Sequence, residues 1–94
     1  MDKSIDRVRG AHTRTMTVRI GVIRDGTPGI SLCLGSECIG EWTDSRARML
    51  SLTEGHKVRI QDAGGELLYL FSVPGKVVGG AAVSDKEVTI TFEL

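Results

Sequence analysis

Cys33 and Cys38, with His12 and His56, are the side chains of this chain best suited to nucleophilic or metal chemistry. A structural zinc centre takes four such ligands in two close pairs, and one pair of cysteines five positions apart falls short of that. No metal ligand is assigned. Cys33 stands between Leu32 and Leu34, where an alternating strand makes it a packed thiol rather than a nucleophile. His56 lies between Gly55 and Lys57 in a turn pattern, the setting of an exposed residue rather than of a general base. Paired carboxylates occur at no spacing that suggests a hydrolytic dyad or a divalent-cation site. The chain therefore offers no catalytic residues and calls for no cofactor.

What it does carry is a run of cations. Lys3, Arg7, Arg9, Arg14, Arg19 and Arg24 make the first quarter basic, although 12 basic and 12 acidic residues cancel over the whole chain. A balanced total gives no global field to pull the protein onto nucleic acid or an anionic membrane. The local excess has two readings, a solvated tail or an arm that contacts phosphates, and on the second Arg9, Arg14, Arg19 and Arg24 are the nucleic-acid-binding candidates.

These side chains need a scaffold, and the apolar spacing supplies one. Residues 1–13 are charged or small, with Ile5 and Val8 as isolated anchors, and read as a flexible arm; residues 14–94 read as a single β-rich domain. From Thr15 to Arg24, Met16, Val18, Ile20 and Val22 alternate with Thr17, Arg19 and Gly21, which predicts a strand with one wet face. Asp25-Gly26-Thr27-Pro28-Gly29 is a turn, with Pro28 and Gly29 suited to the central positions of type II, and residues 30–34 pair back. Ser36 could cap a helix over residues 37–50, where Cys38, Ile39, Trp42, Met49 and Leu50 recur at helical spacing. Val58 and Ile60 alternate with Lys57, Arg59 and Gln61, Gly64-Gly65 turns the chain, and residues 66–71 return antiparallel, with Leu68 and Leu70 expected to be buried beside Val58 and Ile60. Gly79-Gly80-Ala81-Ala82 is a loop or a bulged, bent strand, and residues 87–94 close the chain as an amphipathic strand. The fold class is mainly β with one short helix, a small antiparallel barrel or sandwich. Nothing in residues 1–10 resembles a signal peptide and no segment is long and apolar enough to cross a bilayer, so the expected compartment is the reducing cytoplasm, with both thiols as core residues.

The segment Arg48-Met49-Leu50-Ser51-Leu52-Thr53-Glu54-Gly55-His56-Lys57-Val58-Arg59-Ile60, with Gly64-Gly65 and Leu67-Leu68 after it, resembles the L-L-x-E-G-D-K-V-x-I … G-x-L-x-L pattern of AbrB/MazE/SymE-like swapped-hairpin proteins. That resemblance implies a homodimer of interleaved strands, with DNA contacts from basic residues of the first hairpin, as in antitoxins and transcription regulators. The chain departs from the pattern at Cys33, where the family carries proline, and in residues 77–94, which add a strand. Two functions follow as expectations. One is a homodimeric DNA-binding regulator using Arg9, Arg14, Arg19 and Arg24. The other is a protein-binding module, such as a phage-type, anti-CRISPR-like inhibitor or adaptor of a host defence complex, with threonine-lined strands as its contact surface.

Overall fold

A computed structural model of the chain describes residues 13–93, and these form eight strands with no helix among them. Sheet A contains β1 (Thr13–Arg24), β2 (Thr27–Leu34), β3 (Glu37–Thr43), β7 (Lys76–Ser84) and β8 (Glu87–Glu93), in the order β3-β2-β1-β8-β7. Sheet B contains β4 (Met49–Leu52), β5 (Val58–Gln61) and β6 (Leu67–Phe71), in sequence order. Every pairing is antiparallel.

The period of two seen in the sequence builds the core. Met16, Val18 and Ile20 face inward on β1, opposite Leu34, Leu32 and Ile30 of β2 on one side. Val88 and Ile90 of β8 flank them on the other, opposite Val18 and Met16. Leu50, Val58 and Ile60 of sheet B close over this face, and all three are fully buried. Each such side chain contributes about 1.5–3 kcal/mol on leaving water. The threonines take the opposite face: Thr17 stands across from Thr89, and Thr15 across from Thr91. Thr13 pairs with Glu93, so the described chain enters and leaves side by side.

The two sheets are joined by side chains and turns, not by a continuous ladder, so they do not close into a barrel. Along one side, Trp42 of β3 meets Tyr69 and Phe71 of β6 edge-on, with ring centroids 5.7 and 5.8 Å apart. Along the other, the Leu50 amide of β4 donates to the Asp85 carbonyl at 2.7 Å, and the Lys86 ammonium donates to the Arg48 carbonyl. Gly80 permits this approach, since a Cβ there would lie 3.3 Å from Leu52 Cδ2.

Several expectations are corrected. The helix over residues 37–50 is instead β3, a loop, and β4. Gly35, at φ 60°, turns β2 straight into β3 through a two-residue hairpin that places Leu34 opposite Glu37, and Ser36 caps nothing. The helical spacing was coincidence: Ile39 is the extra residue of a bulge and is 57% exposed, while Trp42 faces inward opposite Ile30. The first turn sits at Asp25-Gly26, both with positive φ, and Pro28 and Gly29 already belong to β2. Cys33 is buried as expected, but Cys38, opposite it across the β2–β3 hairpin, is exposed, and the two form a disulfide, not free core thiols. Residues 76–84 take the bulged-strand alternative, with Val78 and Val83 as the extra residues. The expected arm, residues 1–13, lies outside the described residues except for Thr13, the first residue of β1.

Candidate functional site

β1 disperses the arginines that the sequence singled out. Arg14, at the start of the strand, donates to the Thr13 carbonyl at 3.2 Å. Arg19 lies on the threonine face and pairs with Glu87 at 3.2 Å. Arg24 ends the strand at the opposite pole, ten positions and about 33 Å from Arg14 at the usual strand rise. The three share no patch, and β1 is the central strand of its sheet. Arg9 lies outside the described residues.

The potential nucleophile and base are also kept apart. The Cys33–Cys38 disulfide is on the threonine side of sheet A, since Cys33 is paired with Thr17. His56 occupies the β4–β5 turn with φ 59°, a left-handed conformation that histidine adopts more readily than most residues, and its ring lies over Gly80 on the inner side. Among the described residues, no group of three or more His, Cys, Asp or Glu is placed to hold a metal ion, and no helix is long and apolar enough to cross a membrane.

The most organised polar cluster lies where β3 ends. Asp44 Oδ1 accepts the Arg46 amide and Nε, both at 3.0 Å. Its Oδ2 accepts Arg46 Nη2 at 2.9 Å and the Tyr69 hydroxyl at 2.6 Å. The Arg46 fork, then the Tyr69 hydroxyl, hold the Asp44 carboxyl well below its usual range, and the carboxylate in turn raises Arg46. With four donors on two oxygens, this carboxylate is a structural latch: it fastens the β3 end to β6 and has no lone pair to spare for a proton or a metal. Nearby, a groove of about 280 Å³ is bordered by Arg46, Arg48 and Asp62, each of which already bonds within the chain. Arg48 donates to the Ser45 and Ala47 carbonyls, and Asp62 accepts the Gly64 and Glu66 amides.

The outer face of sheet B is different. Register places Met49, Ser51, Arg59, Gln61, Leu67 and Leu70 on it, paired with one another across the strands, while Leu50, Leu52, Val58, Ile60, Tyr69 and Phe71 pair on the inner face. Leu67 is 52% exposed, Leu70 47% and Met49 39%. None of the three strands contains an acidic residue, and Arg59, between Ser51 and Leu70, forms no ion pair with any described residue. Sequence alternation alone missed this face, because a bulge at Leu68 shifts the frame and sends Leu70 outward instead of into the core. One signal pointed to it: Leu67-Leu68-Tyr69-Leu70-Phe71 is apolar without interruption, so whichever way the strand turns, it must present apolar groups on both faces.

Fold and face together define a two-sheet, all-antiparallel β protein with solvent-facing apolar side chains beside a single arginine, Arg59. No family model, curated protein or solved structure matches the chain.

Proposed function

We propose that this protein is a non-enzymatic binding module whose partner is another protein, held on the outer face of sheet B. The observation that carries the reading is the exposure of Met49, Leu67 and Leu70 on one face, around Gln61 and Arg59 of the middle strand, with no acidic residue in the three strands. Contiguous apolar surface rimmed by polar groups is the usual mark of a protein contact. The charge selects the partner: two copies stacked through this face would bring Arg59 against its own copy, so an apolar surface carrying carboxylates is favoured over a second copy of the chain. A face is also the better candidate than an edge. Three of the four edge strands carry bulges, at Ile39, Leu68, Val78 and Val83, and the fourth, β4, is capped by the Asp85 carbonyl.

The DNA-regulator reading rests on the family resemblance and on arginines that β1 spreads over its length, one of them already paired with Glu87. The geometry supports it less. Capture from a cell lysate, with and without nuclease, separates the two. The protein reading expects a stoichiometric partner that survives nuclease and is lost with Leu70→Asp, a variant whose half-exposed site keeps the fold intact by circular dichroism. Capture abolished by nuclease, or unchanged by Leu70→Asp, would refute it.

A further inference from the structure

β1 outruns its neighbour. Its pairing with β8 ends at Arg19 opposite Glu87, and the last bond on that side runs from the Ile20 amide to the Lys86 carbonyl at 2.9 Å. Beyond it, residues 21–24 pair only with β2. A strand repeats every two residues, so Val22 directs its amide and carbonyl to the same side as Ile20, into a lane that no described strand occupies. The neighbouring ladder agrees: Val22 stands opposite Pro28, whose carbonyl accepts the Asp44 amide at 3.0 Å and so points away from β1.

Along this lane lies a groove of about 250 Å³, with Ile20, Gly21, Val22, Pro28 and Ala47 as its apolar lining and Arg48 and Lys86 at its rim. It is smaller than the roughly 300–1,000 Å³ of sites that enclose a small molecule. Val22 is 72% exposed although strand patterning puts it in series with the buried Met16, Val18 and Ile20. Arg48 bonds backbone carbonyls through Nη1 alone, Lys86 bonds one carbonyl, and neither forms an ion pair with any described carboxylate, so their charge is uncompensated and donors remain. The bulge at Ile23 ends the regular lane after Val22, which limits it to a short length of chain.

We infer that this lane is a docking site for a short extended peptide with an apolar and an acidic residue two positions apart, and so on one face, adding as a strand to β1 beyond the end of β8. The peptide's backbone bonds to Val22, one side chain enters the apolar groove, and a carboxylate meets Arg48 and Lys86. The site goes beyond the sheet B face and stands independently of it: the two lie on different elements and are separated by different variants.

The experiment titrates isotopically labelled protein with the blocked hexapeptides Thr-Glu-Thr-Val-Thr-Glu, Thr-Lys-Thr-Val-Thr-Lys and Thr-Glu-Thr-Gly-Thr-Glu, following amide resonances. The expected result is saturable shifts at residues 20–24 and 86 with the first peptide, at an affinity roughly tenfold or more above either control and falling as salt rises. Lys86→Glu is expected to weaken binding roughly tenfold. Val22→Pro removes a donor that no internal bond uses, so it is expected to abolish binding while leaving the thermal midpoint of the free protein in place. Equal affinity for all three peptides, shifts confined to sheet B, or undiminished binding by Val22→Pro would overturn the assignment. Shifts confined to sheet B would leave the face reading standing.

Discussion

Tyr69→Phe tests the latch between the sheets with a single atom. The ring keeps its edge contact with Trp42 at 5.7 Å and its stack on Phe71 at 6.1 Å, and only the hydroxyl on Asp44 Oδ2 is lost. A hydrogen bond to a charged group contributes about 1.5–3 kcal/mol net. Asp44 retains Arg46 on both oxygens, so the lower end applies, about 1.5 kcal/mol. At roughly 2.1 cal/mol/K per residue, the unfolding entropy of 94 residues is about 0.2 kcal/mol/K, and the melting temperature should fall by about 7 °C. Differential scanning calorimetry at neutral pH reads this directly. Asp44→Asn and the double variant complete a thermodynamic cycle, in which the two losses should overlap because both cut the same bond. A fall of less than about 1 °C, or losses that add within about 0.3–0.5 kcal/mol, would refute the claim that this hydroxyl ties β6 to the end of β3.

Asp44 also sets a pH dependence. Its folded-state pKa is depressed below the ordinary 3.8, so its contribution is fully present above that value and is lost as pH falls below it; urea midpoints from pH 5 down to pH 2 should therefore decline less steeply in Asp44→Asn than in the parent protein. Reducing Cys33–Cys38, a bridge between residues separated by 5 in sequence, should cost about 2 kcal/mol in the chain-entropy account, measured as a shift in urea midpoint with and without a phosphine reductant; Cys33→Ser with Cys38→Ser should abolish that difference. Gly75→Ala should destabilise by about 1–3 kcal/mol or more, because its Cβ would lie within 2.9 Å of the Glu93 carbonyl carbon, which is backbone and cannot turn aside. Gly79→Ala, with nothing within 4 Å, is the matched control and should leave the thermal midpoint within about 2 °C.

The strands that face water on one side were readable because burial enforces a period of two. Met16, Val18 and Ile20, Val58 and Ile60, and Val88, Ile90 and Phe92 all turn inward where alternation places them. The errors cluster at bulges and tight turns, where one added residue inverts the alternation with no change in composition. Ile39 broke the pattern of β3 enough to imitate a helix, and Leu68 reversed the sides taken by Leu70 and Phe71. Asp25-Gly26 lost to Pro28-Gly29 as the first turn because proline dominates turn scoring, although two successive positive φ angles suit a strand-to-strand reversal better. The disulfide was hidden behind the supposed helix, which would have put Cys33 and Cys38 on separate elements. The latch could not be read at all, since Asp44 and Tyr69 are 25 positions apart and meet only after both sheets have formed.

The pairing of Thr13 with Glu93 has a practical meaning. Polypeptide joined ahead of the first and behind the second would emerge from adjacent strands at one pole, while Val22, Arg48 and Lys86 face the far end of a body 52 Å long. The unit can thus be spliced into a surface loop of a host domain, or tethered to a bead or electrode through either flank, with Val22 near the other end of β1 turned away from the junction.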